Sequence, residues 1–214
     1  PGNWWALWSG MVLIKTCHEL GHAALCKYYG GEVHVLGVSL MIFTPMPYVD
    51  ATAAWGFRSR WHRAMVGAGG MIAEFFVAAL AALVWRHTAP GVVHAVAYNM
   101  IWIATVTSLL FNLNPLVRFD GYYILSDLLD IPNLSARSQQ VLRHVVEHHA
   151  LGNRASVNPA EGALETLLLF SYAVLSGIYR VMMGFSIMLY VGGKYLILGA
   201  VIAAVFLVTW LVAP

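Results

Sequence analysis

The sequence predicts an all-α polytopic membrane protein, and three observations point there. Of 214 residues, 60% are apolar and only 10% are charged, where a soluble domain carries about 25% charged residues. Mean hydropathy is +0.70. Apolar stretches recur at the length of about 20 residues that a bilayer core roughly 30 Å thick demands. The same composition excludes other classes. There is too little charge to cover a soluble enzyme or keep a tail disordered. A formal charge of +2, from twelve basic and ten acidic residues, offers no footprint for nucleic acid. Cys17 and Cys26 lie too far apart along one expected helix to be bridged, so no disulfide framework exists.

Five membrane helices are expected. Residues 4–29 open with an apolar run and then turn polar through Lys15, His18, Glu19, His22 and Lys27. Residues 65–85 carry Glu74 as their only charge before the end, and residues 92–113 carry none. Residues 166–193 are long enough to span but hold Arg180 near the middle, which predicts a tilted or broken helix. Residues 195–213 form the fifth span. Gly30 and Gly31 end the first helix, and the β-branched and apolar run 33–44, before Pro45 and Pro47, reads as one or two short membrane-associated strands. Residues 134–151 mix Arg137, Arg143 and Glu147 with Val141, Leu142 and Val145. They read as an amphipathic helix at the cytoplasmic interface, or equally as a solvated connecting helix.

This gives a membrane core over 1–130, an amphipathic connection over 131–160 and two further membrane helices over 161–214. The chain begins at Pro1 rather than at a methionine and ends in the apolar run 195–213, so it reads as a fragment or as a chain renumbered from its ordered part, and no signal-peptide pattern is present. With the N-terminus outside, the cytoplasmic loops hold Lys27, Arg58, Arg60, Arg63, Arg118, Arg137, Arg143 and Arg154, and the outer connections only Arg86 and Lys194. That basic bias places the C-terminus inside.

Ionisable residues inside a span are functional candidates by default. The first helix concentrates them as His18-Glu19-Leu20-Gly21-His22. Residues four apart share a helix face, so both imidazoles reach one metal ion and Glu19 lies beside it. A Zn²⁺ there would lower the pKa of a water to roughly 7, with Glu19 as general base for peptide hydrolysis. Gly21 is expected to relieve crowding at the metal. The pattern is unspecific alone: His144-Val145-Val146-Glu147-His148, followed by His149, matches the inverted form in a polar segment where such residues cost little.

A catalytic zinc needs a third protein ligand. Asp120 is the expected one, between the helix stop at Pro115 and Gly121, with Glu74 as its rival. Asn112 and Asn114 offer amides that could hold a substrate main chain.

His18-Glu19-x-x-His22, followed two spans later by Asn112-x-x-Pro115-x-x-x-x-Asp120-Gly121, resembles the site-2 protease family of intramembrane zinc metallopeptidases. The resemblance covers residues 4 to about 130. It implies a three-helix catalytic core in which His18, His22 and Asp120 bind zinc, Glu19 is the general base and Asn112 contacts substrate. Thr44-Pro45-x-Pro47-Tyr48-Val49-Asp50 and Arg118-Phe119-Asp120-Gly121-Tyr122-Tyr123 look closer to the bacterial branch of peptide zinc metalloproteases. Members of that branch often accompany membrane-fusion and export components. The chain departs from better-known branches in having neither a PDZ insertion between the second and third spans nor a CBS domain.

The expected function is therefore a zinc-dependent intramembrane endopeptidase. Its substrate is a membrane-embedded or membrane-adjacent peptide, and it sits in a bacterial inner (cytoplasmic) membrane. The alternative is a non-enzymatic, zinc-bearing subunit of a peptide export or secretion assembly. A proton or metal transporter fits less well, because its charges would spread along a path rather than converge on one level.

Overall fold

The computed structural model describes residues 4–41, 44–149, 152–153 and 157–212. The chain is mostly helical with one two-stranded sheet, and it forms two compact units, Pro1–Pro132 and Asn133–Pro214.

In the first unit α1 (Trp4–Tyr28) leads through β1 (Leu36–Met41) and β2 (Thr44–Val49) to a 3₁₀ turn, Thr52–Gly56. Then come α2 (Arg60–His87), α3 (Val92–Val106) and α4 (Asp120–Leu129). Gly30, at φ +88°, ends α1 as a left-handed cap, with Gly31 N–H donating to Cys26 O at 2.9 Å.

Helix α2 is the central post, touching α1, α3 and α4. Small residues let it approach α1. A Cβ at Gly21 would run into the Gly69 carbonyl and lie 2.8 Å from Ala73 Cβ. Two helix backbones that meet in this way associate by close packing, which is the means available where lipid is as apolar as the side chains. Below the crossing the core is built from Ile14, Ala78, Ala81, Ala97, Met100 and Ala104.

The sheet differs from the expected strand segment. It starts at Leu36 and runs through Pro45 and Pro47 to Val49, pairing antiparallel with Leu36 opposite Val49 and Val38 opposite Pro47. Residues 42–43, within the expected segment, lie outside the described residues. The prolines are tolerated because of the alternation of an antiparallel ladder. Positions 45, 47 and 49 turn their backbone groups away from β1, so no ladder N–H is missing. Val49 N–H, on that outer side, donates instead to Glu19 Oε2 at 3.0 Å.

At its end α3 widens into a π-helical turn, Thr107–Asn112, where Leu113 N–H reaches back five residues to Ser108 O at 2.8 Å. Pro115 follows, and the chain re-enters a helix at Asp120.

The second unit holds α5 (Leu134–His149), α6 (Ala163–Lys194) and α7 (Leu196–Val212). Leu134, Ser138 and Val141 form the buried stripe of α5, which packs on α6 with Arg137 paired to Glu165 at 2.7 Å. The amphipathic helix therefore exists, although residues 150–151 at its expected end lie outside the described residues. Helix α6 is unbroken through Arg180, whose Nε donates to Ser176 O at 3.1 Å. Residue 213, the expected end of the last span, also lies outside the described residues.

Among the described residues, three helices are long and apolar enough to cross a membrane: Arg60–His87, Val92–Asn112 and Ala163–Lys194. Helix α1 is not among them, since Lys15, His18, Glu19 and His22 crowd its second half. Helix α7 is apolar but shorter.

Candidate metal centre

Helix α1 delivers His18 and His22 to one face, and α4 delivers Asp120 as its first residue. Donor atoms of these three side chains all lie within 4.8 Å of one another, a group that could hold a metal ion. His18 Nε2 is 3.1 Å from Asp120 Oδ2, His22 Nε2 is 3.7 Å from Asp120 Oδ1, and the two Nε2 atoms are 3.0 Å apart. Among the described residues this is the one such group.

The other ring nitrogens explain why these atoms converge. His22 Nδ1 lies 2.8 Å from Val66 O, and His18 Nδ1 lies 3.2 Å from Glu74 Oε1. The Val66 carbonyl can only accept, so in a neutral ring His22 Nδ1 carries the proton and its Nε2 presents a bare lone pair; His18 has carboxylates near both nitrogens, and its buried Nδ1 makes no aligned hydrogen bond. Two imidazole Nε2 atoms and a carboxylate then face one point. Asp120 Oδ2 is buried with no aligned hydrogen-bond donor. Around this point Asp120, Glu19 and Glu74 set three carboxylates against one ammonium, Lys15. A divalent cation would cancel the remaining two negative charges, so the residues fit a metal.

Glycines clear the space. A Cβ at Gly70 of α2 would sit 2.5 Å from the Nε2 atoms of both His18 and His22. Gly70 is thus the residue that relieves crowding at the two Nε2 atoms, whereas Gly21, expected in that role, serves the α1–α2 crossing. At Gly121 a Cβ would lie 2.5 Å from Leu113 O. Close approach to the preceding loop therefore explains the glycine after Asp120.

Beside the three donors opens a cavity of about 380 Å³, lined among others by Glu19, Val49, Arg63, Tyr123 and Asp127. Arg63 fixes α4 against α2, two turns beyond Asp120. Its Nε donates to Asp127 Oδ1 at 2.9 Å, one Nη to Asp130 Oδ1 at 2.5 Å and the other to Phe57 O at 3.0 Å. Burial pushes the Asp127 carboxyl above its ordinary range, and the neighbouring charge of Asp130 adds to that, against the opposing pull of Arg63.

The remaining sequence candidates are placed as follows. Glu74 is fully buried on α2, on the Nδ1 side of His18 rather than at the Nε2 atoms. Asn112 is buried, with Nδ2 3.5 Å from Glu74 Oε2, and is not among the cavity-lining residues. Asn114 Oδ1 accepts from Leu116 N–H at 2.9 Å, bracing the turn at Pro115. The inverted motif on α5 gathers no ligand group: the His144 and His148 rings stack at 5.6 Å, and Glu147 accepts from Arg143 at 2.7 Å. Sequence reasoning did not reach Gly70 or Val66, since a glycine or a backbone carbonyl carries no chemical label. A Gly67-x-Gly69-Gly70 cluster within an apolar span was the available signal.

Comparison with family models, curated proteins and solved structures returned no match for this chain.

Proposed function

We propose that the chain is a zinc-dependent intramembrane endopeptidase of the site-2 protease type, cutting membrane-embedded or membrane-adjacent peptides. The observation that carries this reading is the position of Glu19. It lines the same cavity as His18, His22 and Asp120, and Val49 N–H occupies Oε2, leaving Oε1 to take a proton. Two histidines and a carboxylate also suit iron(II). An adjacent glutamate able to carry a proton favours hydrolysis, and with it zinc.

When bound, the metal supplies the Lewis acidity that brings a water's pKa to about 7 and polarises the scissile carbonyl. His18, His22 and Asp120 would hold it. Glu19 Oε1 accepts the proton of the attacking water and returns it to the departing amine. Substrate enters unwound, because a helix hides its carbonyls in its own hydrogen bonds. It lies extended beside the outer side of β2. Pro45 and Pro47 present carbonyls there but no N–H, so a peptide alongside donates its own N–H groups to β2.

The proposed topology keeps five membrane helices. The N-terminus is outside and the C-terminus in the cytoplasm, in a bacterial inner membrane, with membrane-fusion or export components as partners. A second reading draws on the Val49–Glu19 hydrogen bond, which holds Glu19 on the strand. In it the chain is a zinc-bearing subunit of a peptide export assembly that grips a peptide without cutting it.

Metal analysis of the purified chain, together with cleavage of a co-expressed membrane peptide, tests the proposal. Glu19→Gln should keep the metal and abolish cleavage. A metal-loaded chain that cuts no peptide, whether or not Glu19 is changed, favours the second reading. A chain loaded with iron rather than zinc sinks the peptidase.

A further inference from the structure

We infer that Glu74 is a positioning residue for the metal centre: its carboxylate, 3.2 Å from His18 Nδ1, holds that ring by charge pairing, and Lys15 and Ser108 hold Glu74 in place for that task. The inference rests on the metal reading above and extends it to three side chains outside the ligand set.

Glu74 is fully buried within an apolar helix, where an ionised carboxylate is costly unless both oxygens are engaged. Both are. Oε1 receives Lys15 Nζ at 2.7 Å and lies 3.2 Å from His18 Nδ1. Oε2 accepts from Ser108 Oγ, with Asn112 Nδ2 at 3.5 Å. Lys15 Nζ also reaches Thr107 Oγ1 at 3.4 Å.

A buried ion pair serving only to join α1 to α2 would need Lys15 and Glu74 alone. Nothing in that task requires the carboxylate to sit behind a histidine whose opposite nitrogen faces Asp120. Nor does it require α3 to widen into the π-helical turn that brings Ser108 and Asn112 to the same carboxylate. Such turns concentrate at functional sites.

The two histidines are then unequal. A carboxylate behind Nδ1 fixes the tautomer and raises the donor strength of Nε2, whereas the Val66 carbonyl behind His22 fixes the tautomer with a neutral partner. His18 is the stronger ligand of the pair because of Glu74.

The test uses the full chain in detergent. Zinc affinity is read by competition with a chelator, the ligand field from the visible absorption of the Co²⁺ form, and folding from helix content. Glu74→Gln should fold, bind zinc about 10- to 100-fold more weakly and shift the Co²⁺ bands. Lys15→Met should lower thermal stability. The Lys15→Met/Glu74→Gln double variant should recover that stability yet keep the zinc deficit, which a purely structural pair would not do. Should Glu74→Gln fail to fold, ¹⁵N-histidine spectra of the unmutated zinc form decide, with His18 protonated at Nδ1 and metal-bound at Nε2. Unchanged zinc affinity and Co²⁺ bands in folded Glu74→Gln, or metal on Nδ1 of His18, overturn the inference and leave the metal centre standing. An unmutated chain that binds no zinc overturns both.

Discussion

Nε2 of His18 and Nε2 of His22 lie 3.0 Å apart, with His22 Nδ1 bonded to Val66 O and His18 Nδ1 lying 3.2 Å from Glu74 Oε1. With Asp120 on the third side, these donor atoms form a group that could hold a metal ion. From this geometry we expect one zinc per chain. His18→Ala, His22→Ala and Asp120→Ala should each lose it, by more than the roughly 10- to 100-fold typical of an outer-shell partner. Metal content of the purified variants checks this. Full occupancy in Asp120→Ala would hand the third position to another group.

Gly70 and Gly21 should separate metal binding from packing. Gly70→Ala puts a methyl group 2.5 Å from both Nε2 atoms, so the rings must move. Zinc should be lost while helix content stays. Gly21→Ala instead pushes α1 off α2, and overpacking of this kind costs about 1–3 kcal/mol. That should appear as a lower unfolding temperature in detergent. A Gly70→Ala chain with full zinc would move the site off this face of α2.

The grouping of His18, His22 and Asp120, which could hold a metal ion, was legible in the sequence because metal ligation restricts both residue type and spacing. His18 and His22 fall one helical turn apart, and Asp120 follows a helix stop at Pro115. What supports those ligands was not legible. The Val66 carbonyl has no side-chain signature, and the task of Glu74 depends on which face of α2 meets α1. The β element was partly legible. Val33, Val35 and Val38 announce a strand, but Pro45 and Pro47 read as its end. Only the register shows that their missing N–H groups lie on the side away from the partner strand. The third span looked uniform, since a π-helical turn changes the hydrogen-bond count without changing composition.

The Arg63 clamp carries a pH dependence. Burial and the charge of Asp130 hold the Asp127 carboxyl above its ordinary range. The folded chain therefore binds that proton more tightly than the unfolded chain does. Stability linked to Asp127 is present below the unfolded value of about 3.9 and is lost as pH rises through the folded value. The stability advantage of the unmutated chain over Asp127→Asn should shrink as pH rises from about 3.5 toward neutrality. Denaturation at several pH values measures it. An advantage that grows would mean that pairing with Arg63 outweighs burial.

Orientation rests on the basic bias of the loops. A reporter cysteine needs an exposed position on α5, and Gln140 provides one, whereas Ser138 is fully buried with its hydroxyl on Ser135 O at 2.8 Å. Gln140→Cys should be labelled by an impermeant thiol reagent only from the cytoplasmic side. Labelling from outside would invert the topology.

Asn112 is the residue on which resemblance and geometry point to different experiments. The family resemblance makes it a substrate contact. Its amide, however, is buried at 8% exposure and lies 3.5 Å from Glu74 Oε2, a long hydrogen bond, with the cavity lined by other side chains. A neutral hydrogen bond contributes about 0.5–1.5 kcal/mol net, and one to a charged acceptor about 1.5–3. At 3.5 Å the lower end applies, a factor of a few in an equilibrium constant. Asn112→Leu should thus weaken zinc binding several-fold through Glu74 and lower stability slightly, while KM for a cleaved peptide stays unchanged. Asn112→Asp should do worse, since it sets a second carboxylate against Glu74 in a buried site. A substrate contact predicts the reverse pattern for Asn112→Leu, with zinc affinity untouched and cleavage slowed by about ten- to a hundredfold. Measuring both quantities on the same preparation decides between them, because no single role for one amide produces both patterns.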